Sequence, residues 1–331
     1  MRAVVLVGGF GTRLRPLTLA TPKQMLPIVD RPMIERVIGS LAAHGVSEAV
    51  LSLGYRPDAF VDAYPTGRCA GVDLHYAVEP EPLDTAGAVR FAARSAGIDE
   101  TFVVVNGDVL TDLDVSILWK LHHERGAEGT IALTPVDDPS RYGVVDTDDD
   151  GRVRAFIEKP PPGTAPTNWI NAGTYVLEPS VVDRIDDGRK VSIERETFPA
   201  MVDDARLYAV GSEAYWVDAG TPSTYLQVQL DLIDGVRGDP EVGLHPSAQV
   251  ADGADVTHSV VMAGASVEAG AVVRDAVVMP GARVAAGARV TASLVGPGAT
   301  VGAGAIVDEL SVLGDDVVVE PAAELHAVHM P

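Results

Sequence analysis

A glycine-rich loop that ends in an arginine is the first stretch of the chain whose residue types could do chemistry. The sequence "LVGGFGTRLRPLT", Leu6 to Thr18, overlaps the apolar run "AVVLV", whose β-branched residues predict a buried strand of a parallel sheet. The loop therefore leaves the carboxyl end of a strand, where open α/β sheets bind ligands. Gly8, Gly9 and Gly11 let the backbone approach a ligand and present N–H groups to an anion. We expect this loop to bind phosphate.

Two familiar kinds of phosphate loop fit this stretch poorly. A P-loop would end in Gly-Lys-Ser/Thr, whereas this loop continues with Thr12 and Arg13, which excludes that class. A dinucleotide-binding loop would carry a third glycine where Leu14 stands, although Asp30 lies at a suitable distance for a ribose-binding acid. Prolines interrupt the helix that such a loop requires, at positions 16, 22 and 27.

A lysine follows the loop closely and strengthens the phosphate hypothesis. Lys23 comes directly after Pro22 in "TPKQMLP", whose prolines favour an extended segment. A purely structural glycine turn remains an alternative, but it would not explain two cations so close together. The rigid guanidinium of Arg13 and the flexible ammonium of Lys23 could together neutralise the charge that develops on a leaving pyrophosphate.

Two aspartates stand where apolar strand-like runs end. Asp108 lies in "FVVVNGDVL" and Asp218 lies in "YWVDAGTP". Carboxylate oxygens from two strand ends suit Mg²⁺, which takes the rest of its ligands from water and substrate phosphates. The alternative is that each aspartate caps the segment that follows it. Beside a loop that carries an arginine and a lysine, the metal hypothesis is favoured.

Composition excludes several classes of protein. The 331 residues predict two domains, 47% of them are hydrophobic, and the formal net charge of −22 argues against a nucleic-acid-binding surface. No apolar run reaches the length of a membrane span, so we expect no membrane partner and a cytoplasmic location. Cys69 is the only cysteine, which excludes an internal disulfide and a thiolate metal site.

The first part of the chain alternates between strand-like and helix-like stretches. The strand-like stretches are "EAVLSLG", "FVVVNGD", "TIALTPV" and "AGTYVL", and helices are expected over Met33 to His44 and Ala86 to Ala96. This alternation predicts an α/β domain with a mostly parallel sheet over residues 1–236. The acidic run "DTDDDG" joins "YGVV" to "RVRAFI" and is expected at a solvated hairpin tip, with a Ca²⁺ site as the weaker alternative.

Residues 242–331 follow a different pattern. Valines recur at steps of six residues or near multiples of six, at positions 250, 256, 267, 284, 290, 301 and 307, among small residues. This period is typical of a β-helix, in which each hexapeptide forms one side of a coil and points its aliphatic residue inward. Five-residue steps around Met262 and Val278 leave the coil register open. Because stacked solenoid edges commonly mediate assembly, we expect a homo-oligomer.

Taken together, these stretches resemble a known family. The loop, "PK", "NGD", "EKP", "NAGTYVL" and "WVDAGTP" are similar to the motifs of the sugar-1-phosphate nucleotidylyltransferases, in the same order and along the whole chain. The similarity is greatest to the mannose-1-phosphate guanylyltransferase branch, also called GDP-mannose pyrophosphorylases, which carries a C-terminal hexapeptide β-helix.

The resemblance implies a fold and a reaction. The fold would be a Rossmann-like nucleotidylyltransferase domain followed by a left-handed parallel β-helix. An oxygen of a sugar 1-phosphate would attack the α-phosphorus of a nucleoside triphosphate in line, with Mg²⁺ as the cofactor and pyrophosphate as the leaving group. Mannose 1-phosphate and GTP are the expected substrates. Alternatives are glucose 1-phosphate with dTTP, UTP or ATP, heptose 1-phosphate with GTP, and a catalytically silent regulatory homologue.

The resemblance also implies roles for individual residues. Arg13 and Lys23 would hold the triphosphate, and Asp108 and Asp218 would bind the metal. The nucleotide-binding residues would be Leu6, Gly8, Gly9, Gly11, Thr12, Glu79, Asp84 and Thr85. The residues that bind the sugar phosphate would be Gly143, Glu158, Lys159 and Asn171.

Two residues bear on the choice of base. Asp84, in "EPLDTAG", stands where the family usually has a glycine close to the base, which leaves the geometry of the base pocket open. Glu79 stands where relatives that use thymidine or uridine nucleotides often have glutamine. A carboxylate only accepts hydrogen bonds, and guanine offers two adjacent donors, so we expect Glu79 to favour guanine. An exposed glutamate without a role is the alternative.

Overall fold

The computed structural model describes residues Met1 to Pro331. Its helices are α1 (Met33–Ala43), α2 (Pro57–Ala63), α3 (Asp84–Ser95), α4 (Val115–Arg125), α5 (Ser180–Asp183), α6 (Phe198–Asp203) and α7 (Pro222–Ile233). None of these helices has the length and the apolar character that crossing a membrane would require.

The first fourteen strands precede α7 in the chain. They are β1 (Arg2–Leu6), β2 (Pro27–Ile28), β3 (Arg31–Pro32), β4 (Glu48–Leu53), β5 (Arg68–Cys69), β6 (Val72–Val78), β7 (Phe102–Asn106), β8 (Val109–Thr111), β9 (Gly129–Pro135), β10 (Gly143–Thr147), β11 (Val153–Glu158), β12 (Trp169–Leu177), β13 (Leu207–Gly211) and β14 (Trp216–Asp218).

Fifteen short strands follow α7. They are β15 (Gln249–Val250), β16 (Asp255–Thr257), β17 (Val260–Val261), β18 (Ser266–Val267), β19 (Val272–Arg274), β20 (Val277–Val278), β21 (Arg283–Val284), β22 (Arg289–Thr291), β23 (Leu294–Val295), β24 (Thr300–Val301), β25 (Ile306–Asp308), β26 (Val312–Leu313), β27 (Val318–Val319), β28 (Glu324–His326) and β29 (His329–Met330).

The chain divides into two compact units that do not follow the order of the sequence. The sheet unit comprises Met1–Gly9 and Ile34–Trp216. The helical-coil unit comprises Phe10–Met33 and Val217–Pro331. The segment Phe10–Met33, which we call the Arg13 segment, therefore belongs to the same unit as the C-terminal strands.

The sheet unit is built on a ten-stranded sheet in which β11, β10, β12, β7, β1, β4, β6 and β5 lie in that order; β9 also pairs with β12, and β13 pairs with β9. The central strand β1 is parallel to both β4 and β7. β12 runs antiparallel to β7 and β9. The Rossmann-like, mostly parallel sheet that the sequence predicts is confirmed; antiparallel pairs occur around β12 and between β5 and β6 at the opposite edge.

The apolar runs occupy the centre of this sheet because they are buried on both faces. Every residue from Ala3 to Val5 is fully buried, and Phe102 and Tyr175 are among the largest buried side chains. α1 and α3 form where helices are predicted, although α3 begins at Asp84, two residues earlier than expected. β10 and β11 pair as an antiparallel hairpin around the acidic run, as predicted.

Three parallel five-stranded sheets make up most of the helical-coil unit. Ser266 pairs with both Gln249 and Arg283, so equivalent residues of the first three coils are 17 positions apart, as the hydrogen bond between Ala276 and Ser259 also shows. One extra residue in the fourth coil raises the spacing to 18, as in the pairing of Val295 with Leu313. This stacking is the β-helix arrangement that the sequence predicts. Its five coils begin at β15, β18, β21, β24 and β27.

The coil register, which the sequence leaves open, follows from the length of one side. Val250 to Val256 and Val261 to Val267 are six-residue steps, but Val256 to Val261 is a five-residue step. The third side of each coil therefore carries its own buried column of aliphatic residues, namely Val261, Val278, Val295 and Leu313. The five-residue step recurs from Val273 to Val278 and from Val290 to Val295, whereas Val307 to Leu313 is a six-residue step. The irregular steps around Val278 are thus a regular feature of the first three coils.

Candidate functional site

The end of β1 in the sheet unit lies beside Glu79. Two hydrogen bonds hold this carboxylate: Ser52 donates its hydroxyl to Oε1 at 2.9 Å, and the backbone N–H of Leu83 donates to Oε2 at 3.1 Å. A Cβ placed on Gly8 would lie 3.2 Å from Oε1, so the glycine backbone passes close to the carboxylate. Leu6, at the end of β1, accepts a hydrogen bond from Gly107. The structure thus brings Gly8 and Glu79 together.

Asp84 adopts a backbone conformation that glycine favours, which explains why the family usually has a glycine at this position. Its φ is +62°, in the left-handed region where a Cβ is disfavoured. Its own side chain accepts from the N–H of Thr85 at 2.8 Å, a local bond that helps aspartate tolerate this region. The hydroxyl of Thr85 in turn donates to Glu194 at 2.7 Å and accepts from the N–H of Ile193. Asp84 therefore keeps the backbone turn that a glycine would make.

Asp108 follows β7 after one glycine. A Cβ on Gly107 would lie 2.5 Å from Cγ1 of Val7 and 2.9 Å from the carbonyl oxygen of Leu6. Only glycine fits between these atoms, so the chain turns sharply and β8 begins directly after Asp108. The sequence prediction that Asp108 stands at a strand end is confirmed by this geometry.

Gly143, Glu158 and Lys159 lie together, as expected of a sugar-phosphate site. Gly143 and Glu158 are paired across β10 and β11. A Cβ on Gly143 would lie 3.1 Å from Oε2 of Glu158 and 2.7 Å from Phe156, so the glycine leaves room for both side chains. The ammonium of Lys159 lies 3.1 Å from Oε1 of Glu158, and the lysine side chain is 59% exposed. An anion could therefore approach Lys159 from solvent.

Asn171 is oriented by a residue that the sequence analysis did not single out. Its amide nitrogen donates to the hydroxyl of Tyr175 at 2.9 Å, and its Oδ1 accepts from the N–H of Gly173 at 2.9 Å. Tyr175 is fully buried, and this burial raises the pKa of its hydroxyl, as do the negative charges of Glu194, Glu158 and Asp108. The tyrosine stays protonated at neutral pH and fixes the asparagine.

The signals for these missed residues differ. Tyr175 lies inside the motif "NAGTYVL", and the shift in strand register between Asn171 and Tyr175 brings the two side chains together. The sequence shows the motif but not this shift. Nothing in the sequence near Glu194 identifies it as a partner of a site residue. It accepts hydrogen bonds from Ser192, two positions away, and from Thr85, which is distant in the chain.

In the helical-coil unit, Lys23 packs against the glycine turn of the Arg13 segment. Gly11 has a φ of +60°, and a Cβ there would lie 3.1 Å from Cβ of Lys23 and 3.1 Å from Cγ2 of Thr18. Thr18 closes the turn by donating to the carbonyl oxygen of Gly11 at 2.8 Å. Thr12 begins a single helical turn, and Lys23 is only 7% exposed. The structure thus places Lys23 beside the turn at Gly11.

Arg13 lies beside Asp218. Its Nη2 is 3.7 Å from Oδ2 of the aspartate, and the arginine side chain is 59% exposed. A Cβ on Gly220 would lie 2.6 Å from Nη2 of Arg13 and 2.6 Å from Oδ1 of Asp218, so only a glycine leaves this space open. Thr221 then caps α7 through its hydroxyl. A cation and a carboxylate therefore face the same small space at the start of α7.

Comparison with known proteins decides which family carries these features. Residues 2–235 match the model of the family described as "Nucleotidyl transferase", and residues 239–329 match the model described as "GMPPB C-terminal domain". The chain belongs to the nucleotidyl transferase family. The resemblance drawn from the motifs of this nucleotidyltransferase is therefore confirmed.

Individual relatives carry specific names. The nucleotidyltransferase is 41% identical over 268 residues to a protein of Mycobacterium tuberculosis named "Mannose-1-phosphate guanylyltransferase". The matched region covers 80% of this chain and 74% of that protein. It is 45% identical over 230 residues to "Mannose-1-phosphate guanyltransferase" of Aspergillus oryzae, covering 68% of this chain and 62% of the relative. The chain thus spans less than two thirds of the Aspergillus protein.

A solved structure supports the same assignment. HddC from Yersinia pseudotuberculosis, crystallised with GMP-PN, is 30% identical to this nucleotidyltransferase with a TM-score of 0.58. The alignment covers 69% of this chain and 97% of that chain. The shared fold therefore extends over nearly the whole of the solved relative.

Proposed function

We propose that the protein transfers a GMP unit from GTP to mannose 1-phosphate and releases pyrophosphate. Relatives at 41% and 45% identity carry the name of this activity. The observation that carries the proposal to this chain is the carboxylate of Glu79, which two hydrogen bonds hold beside Gly8. It supports guanine as the base.

The chemistry of Glu79 matches guanine better than thymine or uracil. Ser52 and Leu83 each use one acceptor position of the carboxylate, and a carboxylate has about four such positions. Two positions remain to accept N1–H and the 2-amino group of guanine. Uracil and thymine present one donor between two carbonyl oxygens, which would face the negative charge. The held orientation also avoids the entropic cost of ordering the side chain when the base binds.

Arg13 and Lys23 would hold the triphosphate during transfer. In this reaction an oxygen of the sugar 1-phosphate forms a bond to the α-phosphorus of GTP, and the bond from that phosphorus to the bridging oxygen of pyrophosphate breaks. Negative charge grows on the departing pyrophosphate, where a guanidinium and an ammonium stabilise it. Since there is no covalent enzyme intermediate, positioning and charge neutralisation supply most of the catalysis.

Asp108 and Asp218 fit the role of Mg²⁺ ligands. Both offer the hard oxygen ligands that Mg²⁺ requires, and Gly220 leaves open the space beside Oδ1 of Asp218 that a Cβ would fill. A magnesium ion held there would reduce the charge repulsion between the phosphates of the two substrates.

Lys159, Glu158, Asn171 and Gly143 would bind mannose 1-phosphate. Lys159 presents an exposed ammonium to the phosphate. Glu158 and Asn171 offer an acceptor and an oriented amide to the sugar hydroxyls, and the tyrosine behind Asn171 keeps that amide in place. Gly143 leaves the carboxylate of Glu158 unobstructed.

The test is pyrophosphate release with Mg²⁺ across a matrix of nucleoside triphosphates and sugar 1-phosphates. We expect turnover with GTP and mannose 1-phosphate, and its loss in Asp108→Asn, which keeps the shape of the side chain but removes the charge. Turnover confined to another pair would refute the substrate assignment and preserve the reaction. Silence across the matrix would favour the regulatory homologue.

We also infer that the protein assembles into a homo-oligomer through the β-helix. Val250 occupies the inward position of the first coil but is 39% exposed, whereas its equivalents Val267 and Val284 are 1% and 0% exposed. A second copy stacked on this coil end would bury it. Light scattering on the full chain should report an oligomer, and Val250→Glu should shift it towards the monomer. A monomeric wild type would refute this inference.

A further inference from the structure

The Arg13 segment contacts the β-helix directly at one glycine. Gly314 follows β26 in the fourth coil, and its N–H donates to the carbonyl oxygen of Met330 at 2.8 Å. A Cβ on Gly314 would lie 3.1 Å from Cβ of Pro16, 3.2 Å from the carbonyl oxygen of Met330 in the next coil and 3.4 Å from Cγ of Pro16. Pro16 is three residues after Arg13 and is buried. The ring of Pro16 therefore packs against the bare backbone of the coil.

The equivalent position holds a methionine in the first two coils and a glycine in the third. Equivalent residues in the first two coils are Met262 and Met279, whose N–H groups make the same bond to the next coil. Both methionines are buried, at 2% and 0% exposure. The coil geometry accepts a long side chain there in the first two coils, but a Cβ on Gly296 of the third coil would lie 2.5 Å from the carbonyl oxygen of Leu313. At Gly314 the atom nearest to such a Cβ belongs to Pro16 rather than to the coil backbone, so a side chain there would meet Pro16 first.

A second connection reaches the Arg13 segment through α7. The backbone N–H of Val29 donates to Oε1 of Gln229 at 2.7 Å, and Nε2 of Gln229 donates to the carbonyl oxygen of Pro27 at 2.9 Å. Beyond the end of α7, Asp234 accepts from His258 of the first coil at 3.0 Å. The segment is thus held near Pro16 by the coil and near Pro27 by a helix that is itself tied to the coil.

We propose that the fourth coil of the β-helix positions Arg13 for the triphosphate, with Gly314 as the positioning residue. The inference rests on the proposed function in one respect, since it takes Arg13 as a phosphate contact. A change in this face of the coil moves Pro16 and, through the short connection of three residues, the guanidinium. Misplacement of a charged group by about 1 Å is enough to weaken a phosphate contact substantially.

The test introduces the residue that the first two coils already accept. Gly314→Met places a side chain against Pro16, and Gly314→Ala adds only the Cβ that lies 3.1 Å from the ring. The control is Ala303→Met, which adds a similar bulk at an exposed corner of the same coil. We expect Gly314→Met to raise the KM for GTP about 10-fold and Gly314→Ala about 2-fold, with the KM for mannose 1-phosphate unchanged. The unfolding temperature should match that of Ala303→Met.

Two results would overturn the proposal. One is an unchanged KM for GTP in Gly314→Met. The other is a rise in the KM values for both substrates together with a loss of thermal stability, which a general defect of the β-helix would cause. Binding of inorganic pyrophosphate with Mg²⁺, measured by calorimetry, separates the proposal from the proposed function. If the wild type binds pyrophosphate without turning over any substrate pair, the function fails, and weaker binding by Gly314→Met still supports the positioning role.

Hydrogen exchange decides the case in which the wild type neither turns over nor binds pyrophosphate. The amides of Leu14 and Leu19 bond to Gly11 and Pro16 inside the Arg13 segment. Faster exchange of these amides in Gly314→Met, but not in Ala303→Met, would show that the coil fixes the segment. Equal exchange in the two variants would refute the positioning role.

Discussion

The sheet unit and the helical-coil unit hold their charged side chains in different ways. In the sheet unit, Glu79 is fixed by two hydrogen bonds of 2.9 and 3.1 Å from Ser52 and Leu83. In the helical-coil unit, Arg13 is 59% exposed and lies 3.7 Å from Asp218, beyond the range of a direct hydrogen bond. One group is preorganised by its neighbours, and the other keeps freedom at its charged end.

This difference fits two kinds of recognition. A base is distinguished by the positions of a few donors and acceptors, so its partner must be held in one orientation. A triphosphate changes its charge distribution as the bond breaks, and a guanidinium with a loose partner can follow that charge. We therefore expect the first group to control which nucleotide reacts and the second to control how fast every nucleotide reacts.

Replacing Arg13 tests the helical-coil side and should have the largest effect. Arg13→Ala removes a cation from the phosphates, and loss of one such electrostatic contact commonly lowers catalysis about 100-fold or more. We expect kcat/KM for pyrophosphate release to fall by at least about that factor with every nucleotide. Thermal stability should hardly change because the side chain is mostly exposed.

Arg31→Ala is the matched control for this change. Arg31 lies in the same segment and is 51% exposed, but it pairs with its neighbour Asp30 at 2.9 Å. Its removal should leave kcat/KM within about 2-fold. An effect of Arg13→Ala that depended on the base would contradict the separation of roles between the two units.

Replacing Glu79 tests the sheet side of the comparison. Glu79→Gln keeps the size of the side chain but introduces an N–H donor where guanine presents donors. We expect the preference for GTP over UTP and dTTP, as a ratio of kcat/KM values, to fall about 10-fold or more. Turnover with UTP should not fall along with turnover with GTP.

The control for Glu79 is its near neighbour. Glu81 is exposed in the same loop, so Glu81→Gln changes the local charge equally without touching a held carboxylate. It should leave the preference unchanged. Equal preferences in wild type and Glu79→Gln would show that the base is recognised elsewhere.

Replacing Asp84 tests the backbone of the sheet unit and should have a smaller effect, on stability. Its φ of +62° favours glycine, whereas its place at the start of α3 would favour alanine if only helix propensity mattered. We expect Asp84→Ala to lower the free energy of unfolding by about 1 kcal/mol, because alanine keeps the Cβ and loses the local hydrogen bond. Asp84→Gly should remain within about 0.5 kcal/mol of the wild type. Urea denaturation measures both, and a more stable alanine variant would contradict the backbone argument.

The two units also differ in how much of them the sequence predicts. The β-helix follows from valines at regular spacing because each coil repeats the same local interaction. The sequence left the coil register open because Val261, Val278 and Val295 each follow the preceding inward valine by five residues rather than six. In the sheet unit, the strand ends and their polar residues are evident from apolar runs that stop at Asp108 or Gly8.

The partners that orient the site residues are harder to predict. Ser52 and Glu79 lie 27 positions apart, and Thr85 and Glu194 lie 109 positions apart. Such pairs depend on strand order and on side-chain direction, which a single sequence does not show. The contact between Pro16 and Gly314 is of the same kind, since both residues look like ordinary turn residues in the sequence.

His258 gives the smallest predicted effect and concerns the connection between α7 and the first coil. Its Nδ1 lies 2.5 Å from Oδ1 of Asp275 and its Nε2 lies 3.0 Å from Oδ2 of Asp234. Hydrogen bonding to Asp275 is the main cause that raises the pKa of this histidine above its usual 6.5, and Asp234 adds to it. The imidazolium donates to both carboxylates, whereas the neutral ring can donate to only one.

A raised pKa in the folded state means that the stabilisation is complete below about pH 6.5 and is lost as the pH rises through the raised value. His258→Gln should therefore make the unfolding temperature fall less steeply as the pH rises over that range. The corresponding change in the free energy of unfolding should be less than about 1 kcal/mol because the side chain is partly exposed. A residual slope is expected, since Asp308 also raises the pKa of His326. His245→Gln removes a histidine bonded to Ser247 rather than to a carboxylate and should keep the wild-type slope. If His258→Gln and His245→Gln gave the same slope, the ion pairs of His258 would not stabilise the link between α7 and the coil.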